Sequence, residues 1–280
     1  MTIDGKKISN EILAKLKLQP VPNKIFAAIL VGSNQTAESF LKQKEKIAKE
    51  LGVDFRIYKF PAELKNDDLR REIGKIALRK KVGGAIVQLP LPEHLNKHYI
   101  LNAIPREKDV DVLGERALGA FYNSRNPVLP PAVGTVQEII ENCKFKIENL
   151  RIGVVGLGFL VGKPIAIWLT ARCSEIYLLD QGSDLKILKN ADLVIAGTGV
   201  PGLIKPEMLK NNTGIIDFGY SVVEMSNEQG VMSKKISGDF DASPIENCKL
   251  KIENFWYTPT PGGTGPILVA KLFENFYKLN

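Results

Sequence analysis

Residues 150–164 read LRIGVVGLGFLVGKP, and they decide how the surrounding chain folds. A short apolar, β-branched run at 151–155 is followed at once by Gly156, Gly158 and Gly162, and then by a run at 164–170 that suits a helix. A strand, a glycine turn and a helix in this order can bind a diphosphate through free backbone N–H groups and the helix dipole. The spacing is one residue longer than the common dinucleotide fingerprint, so a purely structural turn remains the alternative.

The residues after this turn favour nucleotide binding. Residues 175–179 predict a second strand that ends before Asp180, a position where an acidic side chain accepts hydrogen bonds from a ribose. Apolar runs at 192–196 and 214–218 predict two more strands, with a helix-like segment near 205–210 between them. We therefore predict a parallel, Rossmann-type sheet, in which Gly199 and Tyr220 follow the last two strands as further cofactor-binding residues.

The N-terminal half shows a second α/β pattern. Strands are predicted at 24–32, 53–60 and 84–89, and helices at 35–51 and 62–80, which indicates another parallel unit. A proline-rich stretch at 123–131 resembles a linker, a helix is predicted at 132–142, and an apolar helix at 265–279 should return to the first domain. The expected domains are a catalytic domain (1–122 plus 264–280) and a nucleotide-binding domain (123–263).

Composition narrows the class of protein. The 280 residues are 44% hydrophobic and 25% charged, as in globular proteins, and no apolar run reaches the length of a membrane span. The N-terminus lacks a signal peptide's apolar core, so a cytoplasmic protein is expected. The net charge of +7 comes from lysines interleaved with acids, which argues against nucleic-acid binding and would suit an anionic small substrate.

The histidines and cysteines indicate neither a metal site nor a disulfide. His94 and His98 have helical spacing, but no third ligand is evident, so no metal site is predicted. The three cysteines are far apart and form no C-x-x-C pair, so they are expected to be free thiols: Cys143, Cys173 and Cys248.

Polar residues near the ends of the N-terminal strands could carry chemistry. Phe40 and Lys44 lie one helical turn apart, Gln88 ends the third strand, and Asp109 and Asp111 flank a valine in KDVD. Each has a simpler reading as a surface lysine, a strand-end amide or a solvated turn. However, the carboxyl ends of parallel strands open onto one crevice, so these side chains should converge there. The loop YTPTPGGTGP at 257–266 could admit a ligand close to its backbone, or serve only as a hinge.

Together these motifs resemble the bifunctional methylenetetrahydrofolate dehydrogenase/methenyltetrahydrofolate cyclohydrolase family (FolD). The resemblance spans nearly the whole chain and is carried by the following segments: IDGK (3–6), LVGSN (30–34), Lys44, VQLPLP (87–92), KDVD (108–111), VGKP (161–164) and TPTPGGTGP (258–266). It implies a folate cleft between two α/β domains, usually in a homodimer, and oxidation of 5,10-methylenetetrahydrofolate by NAD(P) followed by hydrolysis to 10-formyltetrahydrofolate.

The resemblance also assigns roles to residues. Lys44 matches the catalytic lysine, Gln88 the amide that orients it, and Asp111 the carboxylate that binds the pterin ring. The expected substrate-binding residues are Phe40, Pro261, Gly262 and Gly263. The expected cofactor-binding residues are Gly156, Leu157, Gly158, Gly162, Asp180, Gly199 and Tyr220.

Departures from the family pattern define the alternatives. Phe40 stands where a tyrosine is usual, so a dehydrogenase with weak or lost cyclohydrolase activity is one alternative. Leu157 and Gly158 replace the arginine and serine that many members have in the glycine turn, and Asp180 would repel a 2′-phosphate; both indicate NAD rather than NADP. A non-catalytic folate- or nucleotide-binding protein is a third reading, and shikimate or amino-acid dehydrogenases would share the architecture without these motifs.

Overall fold

The computed structural model describes residues 1–226, 232–246 and 253–280. Ten strands are present in this part of the chain: β1 (Ile25–Val31), β2 (Asp54–Phe60), β3 (Val82–Val87), β4 (Arg151–Val155), β5 (Glu175–Leu179), β6 (Leu193–Ala196), β7 (Gly214–Asp217), β8 (Ser221–Ser226), β9 (Met232–Ser237) and β10 (Trp256–Tyr257). The same residues form nine α-helices: α1 (Gly5–Lys17), α2 (Gln35–Leu51), α3 (Asn66–Ala77), α4 (Lys97–Leu101), α5 (Glu115–Tyr122), α6 (Pro131–Asn142), α7 (Gly162–Leu169), α8 (Ser243–Glu246) and α9 (Thr264–Lys278).

The chain divides into two compact units. One contains residues 10–131 and 269–280 and is called the three-stranded unit; the other contains residues 1–9 and 132–268 and is called the five-stranded unit. The first nine residues therefore group with the five-stranded unit and not with residues 10–131, which the sequence-based boundaries did not anticipate. The reason is backbone pairing, because Ile3 N–H donates to the Tyr257 carbonyl and Tyr257 N–H to that of Met1.

The three-stranded unit is a parallel sheet in the order β2-β1-β3, with the predicted alternation of strands and helices. All seven residues of β1 are buried, which explains why its sequence, IFAAILV, has no polar alternation. Phe26 on β1 packs against Phe273 and Phe276 of α9, with ring centroids 5.4 and 4.9 Å away. The predicted return of the C-terminal helix to the first domain is thus confirmed.

The five-stranded unit is a parallel sheet in the order β10-β7-β6-β4-β5, which confirms the parallel sheet predicted for this part of the chain. The chain runs from β4 outward to β5 and then returns to the other side of β4 as β6. Such a reversal of strand order leaves a crevice at the carboxyl ends of β4 and β6, where α/β proteins bind ligands.

Several regions depart from the predicted elements, and α5 is one helix that was not predicted. The segment near 205–210 forms only a short 3-10 helix, Pro206–Met208, where proline removes a backbone donor. Helix α1 and the antiparallel hairpin β8–β9 had not been predicted. Cys143 and Cys173 are free thiols as expected, whereas Cys248 lies outside the described residues.

An ion-pair network lies at the amino ends of β4 and β6. The Asp192 carboxylate accepts hydrogen bonds from Arg151 N–H at 2.8 Å and Arg151 Nε at 3.2 Å, and it also pairs with Lys210. Although partial burial opposes the effect, these donors lower the pKa of Asp192 to about 2. In the described part of the chain, no helix has both the length and the apolar character needed to cross a membrane.

Candidate functional site

Lys44 and Gln88 form a direct contact in the three-stranded unit. Helix α2 begins after β1, where the Asn34 side chain accepts a hydrogen bond from Ala37 N–H, and it carries Phe40 and Lys44 as half-buried side chains one turn apart. Lys44 Nζ donates to Gln88 Oε1 at 2.8 Å. Gln88 Nε2 donates to the Leu89 carbonyl at 2.9 Å, which fixes the amide so that its oxygen faces the lysine.

Asp111 completes this cluster electrostatically. Burial lowers the pKa of Lys44, and the negative charge of Asp111 opposes that shift. Burial likewise raises the pKa of Asp111, and the positive charge of Lys44 opposes it. Because burial disfavours the ammonium form, the Lys44 amine is neutral more often than that of an exposed lysine, and a neutral amine can accept a proton.

The two aspartates of KDVD have different surroundings. Asp109 pairs with β3 through a backbone bridge to Ala85, and its buried Oδ2 accepts hydrogen bonds from the N–H groups of Leu113 at 3.0 Å and Gly114 at 2.7 Å. Burial raises the pKa of Asp109 to about 7, despite these donors. Asp109 therefore anchors the turn that leads into α5, and Asp111 is the aspartate whose charge acts on Lys44.

The glycine turn between β4 and α7 is sterically constrained at two of its three glycines. Gly156 has φ +86°, and a Cβ there would lie 2.8 Å from the Gly197 carbonyl oxygen. A Cβ on Gly162 would lie 1.9 Å from the Gly156 oxygen, whereas one on Gly158 would meet nothing within 4 Å. Gly156 thus lets the turn lie against the backbone of Gly197, and Gly162 lets the start of α7 lie against the backbone of Gly156. Exposed Gly158 and half-buried Leu157 are accessible to a ligand.

Asp180, Gly199 and Tyr220 follow the carboxyl ends of three strands in the same sheet. The Asp180 side chain is exposed at the end of β5, next to the glycine turn, because Gly156 N–H donates to the Leu179 carbonyl at 2.8 Å. Gly199 has φ +71° and follows β6, and its carbonyl accepts from Ser221 Oγ at 2.9 Å. Tyr220 follows β7 and is 41% exposed. All three therefore lie at the predicted edge of the parallel sheet.

The proline-glycine loop is held to the end of β7. Asp217 N–H donates to Thr258 Oγ1 and the Asp217 carbonyl accepts from Thr264 Oγ1, both at 2.8 Å. Within the loop, Pro261 is exposed and Gly262 has φ +104°. A Cβ on Gly263 would lie 2.6 Å from the Pro259 carbonyl oxygen, so this position has room for glycine alone.

Sequence reasoning missed two buried carboxyl groups in the five-stranded unit. Asp217 Oδ1 accepts from Gly219 N–H at 2.7 Å and from Asp239 N–H at 3.2 Å, and Oδ2 accepts from Phe240 N–H at 3.0 Å. Burial raises the pKa of Asp217 to about 6. The available signal was an acid at the last position of the apolar strand GIID, where an exposed turn would be the ordinary expectation.

The predicted residues thus fall into two groups. The three-stranded unit holds Phe40, Lys44, Gln88 and Asp111, and the Lys44–Gln88 contact is direct. The five-stranded unit holds all of the predicted cofactor-binding residues together with the loop that contains Pro261, Gly262 and Gly263.

Two family models match nearly the whole chain. Residues 3–111 match the catalytic domain of tetrahydrofolate dehydrogenase/cyclohydrolase, and residues 130–280 match its NAD(P)-binding domain. The bifunctional protein FolD of Mycoplasmopsis synoviae is 35% identical over 257 residues, which cover 90% of this chain and 88% of the relative.

Solved structures agree with these matches. The FolD methylenetetrahydrofolate dehydrogenase/cyclohydrolase of Campylobacter jejuni has a TM-score of 0.88 at 27% identity, covering 100% of this chain and 98% of that one. The Trypanosoma brucei FolD enzyme, solved with NADP and an inhibitor, has a TM-score of 0.88 at 25% identity, covering 100% and 96% of the two chains.

Proposed function

Because the chain belongs to the tetrahydrofolate dehydrogenase/cyclohydrolase family, we propose that it oxidises 5,10-methylenetetrahydrofolate with NAD(P) and hydrolyses the methenyl product to 10-formyltetrahydrofolate. The observation that carries this proposal is the hydrogen bond from Lys44 to Gln88, because it joins an oriented amide to a lysine whose pKa is lowered by burial and which feels the charge of Asp111. A binding protein without catalytic activity would have no need of a half-buried lysine of lowered pKa in this arrangement.

In this proposal, Lys44 is the base that accepts a proton during the hydrolysis step. Burial favours its neutral amine, which can accept a proton from the water that attacks the methenyl carbon, and the resulting ammonium is stabilised by Asp111. Gln88 keeps Nζ in place, since its oxygen accepts from the lysine and its amide nitrogen is held by Leu89. Asp111 can also bind the N–H groups of the pterin ring, as the family resemblance implies.

The glycine turn fits a dinucleotide. Gly156 and Gly162 let the turn pack tightly against the loop after β6 and against its own backbone, and α7 begins at this turn, so its first N–H groups can face a diphosphate. When bound, NAD(P) supplies the acceptor for the hydride that leaves the methylene carbon. Gly158, Gly199 and Tyr220 are exposed to such a ligand, and Pro261, Gly262 and Gly263 are assigned to the substrate.

We further propose that NAD is preferred over NADP. The exposed Asp180 carboxylate can accept hydrogen bonds from ribose hydroxyls, and it would repel a 2′-phosphate. Leu157 offers no positive charge to that phosphate. The Trypanosoma brucei enzyme was solved with NADP, so a relative of this fold binds that dinucleotide, and Leu157 and Asp180 would turn the preference of this chain toward NAD.

Lys44→Met tests the catalytic role. Absorbance measurements should follow the reduced nicotinamide and the methenyl species in one time course with 5,10-methylenetetrahydrofolate. Hydrolysis of the methenyl species should fall about 100-fold or more, because the proton acceptor is lost. The matched control is Lys46→Met, which removes an exposed lysine from the same helix and should leave the rate unchanged. Equal rates for the two variants would reject the assignment.

The double variant Asp180→Ala/Leu157→Arg tests the cofactor preference. The ratio of kcat/KM for NADP to that for NAD should rise about tenfold or more, because repulsion is replaced by attraction. Asp184→Ala is the control, because it removes another exposed carboxylate from the segment that follows β5. The Asp184 carboxylate accepts a hydrogen bond from Lys186 N–H. An unchanged ratio in the double variant would contradict the preference.

Phe40 supports a second candidate, a dehydrogenase with weak cyclohydrolase activity. Its ring can stack on folate, but it lacks the hydroxyl that family members usually place near the lysine. Accumulation of the methenyl species during turnover, and its disappearance in Phe40→Tyr, would identify this candidate. No accumulation would support the fully bifunctional enzyme.

The family resemblance also supports a cytoplasmic homodimer. The predicted division into a catalytic domain (1–122 plus 264–280) and a nucleotide-binding domain (123–263) remains part of the same proposal. Light scattering during size-exclusion chromatography would measure the molar mass of the assembly, and a monomer at micromolar concentration would contradict the dimer.

A further inference from the structure

Asp239 is a fully buried aspartate that binds the loop after β6. Its Oδ2 accepts a hydrogen bond from Thr198 N–H at 2.5 Å. Burial raises the pKa of Asp239, while the backbone N–H and side chain of Thr198 and the N–H groups of Gly199 and Val200 lower it. The hydrogen bond from Thr198 N–H therefore joins this loop to Asp239, whose other oxygen, Oδ1, is buried without a hydrogen-bond partner among the described residues.

The same loop forms a wall beside the glycine turn. A Cβ on Gly156 would lie 2.8 Å from the Gly197 oxygen and 2.9 Å from Thr198 Cγ2, so the two segments are in contact. Gly199 and Val200 are exposed on the outer side of the loop. Because this is where the strand order reverses, a dinucleotide bound at the glycine turn would meet residues 198–200.

Asp239 is in turn held by Asp217. The Asp239 N–H and Phe240 N–H donate to the two oxygens of the Asp217 carboxylate, at 3.2 and 3.0 Å. The glycines beside the pair leave room for it, since a Cβ on Gly219 would lie 2.3 Å from Asp239 Oδ1 and one on Gly238 would lie 2.1 Å from Asp217 Oδ2. Any side chain at these glycines would displace a carboxyl group.

We propose that Asp239 is a positioning residue that holds residues 198–200 in the conformation that binds NAD(P), and that Asp217 anchors Asp239. The proposal rests on the proposed dehydrogenase function. Neither carboxyl group touches the cofactor, because Asp239 has no exposed surface and Asp217 is 2% exposed. Asp239 acts through the partly buried Thr198 N–H, and Asp217 acts through the buried N–H groups of Asp239 and Phe240.

Asp239→Ala in the full chain tests this role, with Asp241→Asn as the matched control. Asp241 lies two residues away, and its carboxylate accepts only local hydrogen bonds from Ser243. Titration calorimetry should show that Asp239→Ala raises the Kd for NAD and NADP about tenfold or more, as expected for one lost hydrogen bond to a charged group. KM for the cofactor should rise in parallel, with kcat at saturation within about twofold of the parent.

Two further measurements separate positioning from general stability. Hydrolysis of 5,10-methenyltetrahydrofolate needs no nicotinamide, so it should be retained in Asp239→Ala together with the melting transition. Asp239→Asn keeps an acceptor oxygen for Thr198 N–H and should restore cofactor binding to within about threefold of the parent.

Each outcome decides the proposal. Unchanged cofactor binding in Asp239→Ala would overturn it, and so would equal loss of hydrolysis and cofactor binding in both the alanine and the asparagine variants. If only Asp239→Ala fails to fold, the proposal is supported when Asp239→Asn and the Asp241→Asn control both bind NAD and NADP with Kd values close to those of the parent. A parent chain that binds neither NAD nor NADP would reject the dehydrogenase function itself, which distinguishes that failure from a failure of the positioning role alone.

Discussion

Replacing Asp109 by asparagine should stabilise the chain increasingly as the pH rises. The folded-state pKa of Asp109 is about 7, against an ordinary value of 3.8, because the carboxyl group is buried. A raised carboxyl pKa means that the folded state binds the proton more tightly than the unfolded chain does. The associated stability is present below the unfolded pKa and is lost as the pH rises towards and through 7.

The expected size follows from those two pKa values. Between about pH 5 and about pH 8 the parent should lose roughly 2 to 3 kcal/mol of unfolding free energy from this one group. Asparagine has the same shape, carries no charge, and can present its amide oxygen to the Leu113 and Gly114 N–H groups that Asp109 now binds. The variant should therefore escape that loss.

Urea unfolding of the parent and of Asp109→Asn, at about pH 5 and at about pH 8, measures this loss of unfolding free energy. The free energy of the variant minus that of the parent should grow by about 2 to 3 kcal/mol from the lower to the higher pH. Glu115→Gln is the control, because it removes an exposed carboxylate close by and should leave the parent's pH dependence in place. A difference between Asp109→Asn and the parent that does not change with pH would refute the argument from burial.

Other substitutions test the fold. Gly162→Ala should cost more than about 2 kcal/mol of unfolding free energy, because its Cβ would overlap the Gly156 oxygen, whereas Gly158→Ala should change stability by less than about 0.5 kcal/mol; equal effects in urea unfolding would contradict this. Asp192→Asn should cost about 1 to 2 kcal/mol at neutral pH, and the cost should shrink as the pH falls from about 4 towards 2, where the parent's carboxylate is protonated. Asn275→Ala should cost about 1 to 3 kcal/mol in the same assay, because the buried Val110 carbonyl and the partly buried Leu129 carbonyl would lose their donor.

Elements with strong hydrophobic patterns were predicted closely from the sequence. The strands Arg151–Val155 and Glu175–Leu179 and the helix Gln35–Leu51 have the predicted limits. Helix α1 was missed although Ile8, Ile12 and Leu16 form a buried face at helical spacing, because the polar start of the chain was read only as evidence against a signal peptide.

The sequence predicted the site residues that lie near the ends of strands. It did not predict the role of carboxyl groups whose role depends on burial. Gln88 and Lys44 were placed at one edge of a parallel sheet by strand order alone, and the structure gives their contact. The sequence could not separate Asp109 from Asp111, because both lie in one turn and only the backbone path determines which carboxyl group is beside Lys44. Asp217 and Asp239 were missed for the same reason, since their partners are main-chain N–H groups that carry no sequence signal.

The pairing of Tyr257 with the first three residues has a consequence for how the protein is made. Residues at opposite ends of the sequence complete the five-stranded unit, and α9 supplies Phe273 and Phe276 to the core of the three-stranded unit. During synthesis on the ribosome, neither unit can reach its final structure until the segment that contains β10 and α9 has emerged. No single cut in the chain would release either unit with its core intact, so the two units must be produced as one polypeptide or rejoined by redesign of their termini.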